Sequence, residues 1–234
     1  RCAKIAEFGI IICWYSAGKR PSMAKRTLAQ AFTALLQSQS IGPRDVVVAN
    51  SAVHYWHGEN KLYTNHELRP FAQAYQQHCQ SKRACPAVIW RETPPQMFKN
   101  GFYEKEAFHA SRKSGCSWKR SSQEAAVRDH NTDWYNGVAT PIIAAVGIPI
   151  LRIWRATALL NGTDNHAQGA GDCTHYHCIG SAVQLWNEWL VGMIKPAPRL
   201  PAHFPTLQSE SRWRRTKQAI TSCQAWAQGQ PEQL

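Results

Sequence analysis

Acidic side chains are scarce in this sequence. Fifteen Asp and Glu stand against 27 Lys and Arg, giving a formal net charge of +12 over 234 residues. That balance excludes an acidic solvating tail and gives a surface that attracts polyanions. The excess is dispersed over Lys19-Arg20, Lys25-Arg26, Arg112-Lys113, Lys119-Arg120 and the stretch from Arg212 to Lys217. No arginine-rich helix or nucleic-acid motif gathers it, so nucleic acid is not the expected partner. A solvated basic face suited to an acidic matrix is. Long apolar runs are also missing. The nearest approach, Val138 to Leu151, is interrupted by Pro141 and Pro149 and falls short of the ~20 residues a membrane span needs. No span is expected.

Charged residues of both signs make up only 18% of the chain, against 44% apolar residues and ten Trp, which excludes a disordered protein. The length suffices for one sizeable core; two full domains would each be small. No internal repeat is visible. The chain opens on Arg1 rather than Met and runs at once into core-like sequence, as expected of a fragment or trimmed product.

Cysteine is abundant. Eight residues, at positions 2, 13, 79, 85, 116, 173, 178 and 223, are even in number and scattered, the pattern of a disulfide-bearing protein of the secretory route. Cys79 and Cys85, and likewise Cys173 and Cys178, are near enough to close small loops, but spacing leaves the connectivity open. Asn161-Gly162-Thr163 is a glycosylation sequon if the chain enters that route.

Strand-like and helix-like segments alternate. Phe8 to Tyr15 reads as a buried strand, Asp45 to Asn50 as the clearest strand, Ala87 to Trp90 as a third and Ile148 to Trp154 as the last. Between them, Leu28, Ala31, Phe32, Leu35 and Leu36 share one helical face, and Leu68, Phe71, Tyr75 and Cys79 share another, with Pro70 near its first turn. Ser51 to Thr64 reads as a polar loop, and Arg91 to Asn131 is long and weakly patterned. Trp134 to Val146 is expected to be helical despite Pro141. A helix over Ser181 to Ile194 would carry Val183, Trp186, Leu190 and Met193 on one face. Residues 1–195 form the expected domain, and residues 196–234 a Pro- and Gln-rich tail.

Strands separated by helices imply a mostly parallel sheet covered on both faces, with ligands beyond the carboxyl ends of its strands. Asn50, the Arg91-Glu92-Thr93-Pro94 turn and the Asp172/His175 pair all fall at that rim. Asp172 precedes His175 by three residues on a Gly-rich turn, from which its carboxylate can reach Nδ1 and fix the imidazole tautomer. Nε2 is then left to take a proton from a serine. The bland reading of the same pair is a cap at a helix start. Cys173-Thr174-His175-Tyr176-His177-Cys178 also invites a zinc reading, but a backbone this short cannot surround a tetrahedral ion, so no metal is expected.

Asp172-Cys173-Thr174-His175-Tyr176, with Trp186-Asn187 downstream, resembles the final block of the PC-esterase family. That family includes the plant trichome birefringence-like proteins, within the SGNH/GDSL hydrolases. Asp45-Val46-Val47-Val48-Ala49-Asn50-Ser51-Ala52-Val53-His54-Tyr55-Trp56 resembles its strand-plus-Asn block. Trp90-Arg91-Glu92-Thr93-Pro94-Pro95-Gln96-Met97-Phe98 resembles its Arg-containing strand and Pro loop. Ile148-Pro149-Ile150-Leu151-Arg152 is similar to the strand before the last block.

The resemblance implies a three-layer, flavodoxin-like α/β fold of the SGNH-hydrolase type and O-acetyl chemistry on polysaccharide, in the Golgi lumen or outside the cell, without a cofactor. The implied partners are an acetylated or acetyl-accepting polysaccharide and an acyl donor. By the same resemblance His175 is the general base, Asp172 its orienting carboxylate and Asn50 the oxyanion donor, a contact worth ~3 kcal/mol elsewhere. Arg91, His54, Tyr55 and Trp56 are candidate substrate contacts. The family's nucleophile lies in a Gly-Asp-Ser turn after the first strand, and that tripeptide is absent here. Either the first strand and its serine lie outside this sequence, the expectation adopted, or the chain is an inactive basic module that binds glycan or another polyanion. Ser51 lacks the sharp elbow that would present it as a substitute.

Overall fold

The computed structural model describes residues 2–5, 10–13, 26–38, 41–51, 54–56, 58–79, 85–98, 116, 134–160, 173–176 and 180–194. Their centre is an open parallel sheet of three strands, β3 (Val46–Ala49), β4 (Ala87–Arg91) and β5 (Ile150–Leu151), in the order β3-β4-β5. Helices follow the strands, so the protein is of the α/β class. A separate antiparallel pair precedes them, β1 (Cys2–Ile5) with β2 (Ile10–Cys13), whose register sets Cys2 opposite Cys13. Of the strand expected over Phe8 to Tyr15, the described part is β2, which pairs with β1 and not with the parallel sheet.

Side-chain alternation divides the sheet between two layers. Val47, Ala49, Val88, Trp90 and Ile150 join one core with Phe32 of helix α1 (Leu28–Gln37), Phe71 of α3 (Arg69–Cys79) and Ile143 of α4 (Trp134–Ala145). Ile89 and Leu151 face the other way, onto Ala182 and Trp186 of α6 (Ser181–Ile194). The central strand is thus buried on both faces, with Trp90 only 1% exposed. Truncating such a residue to Ala costs about 3–5 kcal/mol. Among the described residues β3 pairs on one side only, and its Val46 and Val48 remain 36% and 42% exposed.

Local chemistry explains the element ends. Thr27 and Gln30 form a reciprocal capping box that starts α1. Gly147, at φ +76°, ends α4 in a Schellman arrangement, its N–H donating to Ala144 and the Ile148 N–H to Ile143. The expected loop from Ser51 to Thr64 already contains helix α2 (Asn60–Tyr63). A π-helical turn, Thr64–Leu68, joins α2 to α3. Pro70 explains this turn. It lies inside a helical run from Asn60 to Cys79, where it has no N–H to donate and crowds the preceding turn. Widening that turn, with the Arg69 N–H donating to Thr64 O, accommodates it.

The last strand is shorter than expected. Only Ile150–Leu151 is extended, and Trp154 opens helix α5 (Trp154–Ala158). Cys79 and Cys85 are disulfide-bonded and close the α3–β4 connection. Cys173 is bonded to Cys116, which settles a connectivity that spacing had left open. No described helix is long and apolar enough to cross a membrane.

Candidate active site

The rim begins where β3 and β4 end side by side. Asn50 follows the last residue of β3, and its Nδ2 donates to the carbonyl of Arg91 at 2.9 Å and to Thr93 Oγ1 at 3.3 Å. Its Oδ1 accepts from Arg91 Nη2 at 3.1 Å. Thr93 extends the network. Its hydroxyl donates to Ser51 O at 2.9 Å, and its backbone N–H and C=O are both taken by the Asn136 carboxamide, at 2.8 and 2.9 Å. Buried polar atoms need such partners, and the Asn50 and Asn136 carboxamides and the Thr93 hydroxyl have them.

The Pro loop after β4 carries the last block. Met97 N donates to Cys173 O at 2.8 Å, and the Tyr176 hydroxyl donates to Pro95 O at 2.8 Å. Met97, Phe98 and Cys173 form a small apolar cluster against which Trp56, Cys116 and Tyr176 pack. The Cys116–Cys173 disulfide pins the same segment two residues before His175. His175 is exposed at this rim.

On the α6 side, the Arg91 guanidinium lies over the Trp186 ring, 5.0 Å from its centroid. Trp186 is held by Nε1 donating to Thr157 Oγ1 at 2.7 Å and by Tyr176, whose ring centre is 5.0 Å away. Burial lowers the Arg91 pKa to about 10, with a smaller opposing effect from Tyr176. The neighbouring residue, Glu92, gives it no counter-charge. Glu92 accepts from Trp154 N at 2.9 Å, capping α5, and from Arg152 at 3.4 Å.

Asn50, Arg91, Trp56 and the Cys173-to-Tyr176 segment, distant in sequence, are thus brought to one rim. Asp172 lies outside the described residues, as do His177, Cys178, the sequon, most of Arg91 to Asn131 and the 196–234 tail. His54 is half-buried in the loop after β3. Tyr55 is corrected. It is fully buried, its hydroxyl donates to Glu67 Oε1 at 3.2 Å, and its ring packs on Tyr63, so it offers no face to a sugar. Ser51 is likewise buried. The zinc reading loses a ligand, because Cys173 spends its sulfur on Cys116.

Sequence reasoning missed Glu67. The carboxylate is fully buried, caps α1 by accepting from Leu28 N at 2.9 Å, and lies 3.8 Å from His66 Nδ1. Burial raises its pKa, against smaller lowering effects from Leu28, Tyr55 and His66. Only the helical spacing from Glu67 to Phe71 and Ala74 signalled an inward position. No protein-family model matches the chain, and no curated protein matches it significantly.

Proposed function

We propose that this chain performs acyl-ester chemistry on carbohydrate, transferring or removing O-acetyl groups of a polysaccharide by the Ser-His-Asp mechanism of the PC-esterases it resembles. In this reading His175 Nε2 takes the proton of a serine hydroxyl as the serine oxygen bonds the acyl carbon. The imidazolium then returns the proton to the departing alcohol. A sugar hydroxyl or water discharges the acyl-enzyme by the reverse sequence. Asp172 orients the imidazole. Asn50 serves the oxyanion by releasing its longer bond, that to Thr93.

The observation that carries this reading is the meeting of the resembling blocks at the carboxyl end of a parallel sheet. Asn50 binds Arg91, Met97 binds Cys173, and Tyr176 binds Pro95. Ligands of open α/β sheets bind there. The serine belongs to a Gly-Asp-Ser turn that these 234 residues do not contain. Among the described residues β3 pairs only with β4, and its other edge is where the strand of that turn would pair. Disulfide-bonded cysteines are compatible with the secretory route, and the Golgi lumen is the compartment of this reading.

The test is covalent labelling of the protein expressed from its complete reading frame with a serine-reactive fluorophosphonate. Labelling that is lost in His175→Ala supports the reading. No labelling of the wild type, or equal labelling of the variant, overturns it. A second reading, a non-catalytic module for acidic glycan, is favoured by the Arg91 guanidinium that no described carboxylate neutralises. Glycan binding without labelling would select it.

A further inference from the structure

Arg91 is held in place, and no described residue neutralises it. Asn50 fixes one end of its guanidinium, the Trp186 ring supports its plane and the Tyr176 ring lies against Trp186. No carboxylate pairs with it among the described residues. The acid next to it in sequence, Glu92, is committed to the α5 N-terminus and Arg152. Asn50 occupies one Nη2 donor, and a guanidinium has five N–H groups in a rigid fork. The residue is half-buried, and burial leaves its guanidinium incompletely solvated by water. A desolvated cation without a counter-charge is costly, and an anion from outside relieves that cost.

We propose that Arg91 anchors an anionic subsite whose ligand is the carboxylate of a uronate unit in an acidic polysaccharide. The sugar in this statement rests on the carbohydrate reading above; the anion rests on Arg91 itself. A planar carboxylate can take two parallel N–H donors of the fork while the guanidinium keeps its Asn50 bond and its Trp186 stack. The sugar ring would then extend toward Trp56 and His175, which lie at the same rim. The net charge of +12 draws an acidic chain toward the surface, and Arg91 selects its carboxylate there. The lowered Arg91 pKa is consistent with a site that gains from an incoming negative charge.

The test is calorimetric titration of the protein, expressed from its complete reading frame, with a short oligouronate and with its fully methyl-esterified form at pH 7. The free acid should bind at least roughly 30-fold more tightly than the ester, a comparison that needs no variant. Arg91→Met should bring the acid down to the level of the ester, and Arg91→Lys should fall between, keeping charge without the fork. The salt dependence should correspond to about one neutralised charge, far below that of a polyanion on a basic surface. Equal binding of acid and ester would overturn the proposal by assigning Arg91 to a neutral carbonyl. Full affinity in Arg91→Met would overturn it by moving the binding to the dispersed surface charge. The readout is binding and not turnover, so a failure of the catalytic reading leaves this result standing and can be told from a failure of the subsite.

Discussion

Asn50 closes on Arg91 from two directions, donating to its carbonyl at 2.9 Å and accepting from its Nη2 at 3.1 Å. One carboxamide therefore ties the ends of two parallel strands together and aims a guanidinium. Asn50→Ala removes both bonds and leaves the Arg91 carbonyl and part of its fork without partners. The expected cost is about 1–3 kcal/mol, read as a lower urea midpoint at unchanged slope. Asn50→Asp should instead supply an internal carboxylate to Arg91 and abolish the preference for free uronate over its ester.

Glu67 makes stability depend on pH. Its pKa in the folded protein is raised from the ordinary 4.5, chiefly by burial, so above that value the folded state holds a proton the unfolded state has released. The stability this group contributes is fully present below about 4.5 and is lost as pH rises through the folded value. Glu67→Gln keeps an acceptor for Leu28 N and cannot titrate. The gap between wild type and variant should therefore move in favour of Glu67→Gln from pH 4.5 upward, measured by urea unfolding at several pH values. A pH-independent gap would contradict the assignment.

The Cys116–Cys173 bond closes a sequence separation of 57 residues. In the chain-entropy account a loop of that size is worth up to about 4 kcal/mol. Cys116→Ser should lower the thermal midpoint and, because Cys173 leads into His175, reduce any His175-dependent activity before the fold is lost. Unchanged stability would show that the bond constrains little.

Gly147 at φ +76° allows α4 to end and β5 to begin three residues later. A Cβ there meets no neighbour within 4 Å, so Gly147→Ala is opposed by backbone conformation alone. Its expected cost is about 1 kcal/mol, again read from urea unfolding.

Much of this architecture was legible because hydrophobic periodicity is a strong local signal. The Val46–Ala49 and Ala87–Arg91 strands and the Ser181–Ile194 helix lie where alternation and helical spacing placed them. Local patterns carried less where the answer depended on distant partners. β2 looked like a strand of the main sheet, but pairing is decided between strands and not within one. Cys173 had a near partner in sequence and a different one in space. The π-helical turn arose from Pro70 in a helix that packing retained. At the rim, the sequence placed Asn50 and Arg91 near one another from topology. That Glu92 would turn away from Arg91 depended on where α5 began. Tyr55 looked like a sugar platform because aromatic type says nothing of the side on which a ring is buried.

The central claim is acyl transfer through His175, and the most direct measurement is acetyl release from, or transfer to, polysaccharide by the protein expressed from its complete reading frame. Wild type should be active, and His175→Ala should lose about 10⁴-fold in kcat with little change in ligand affinity. An active protein in which His175→Ala turns over at the wild-type rate would contradict the account.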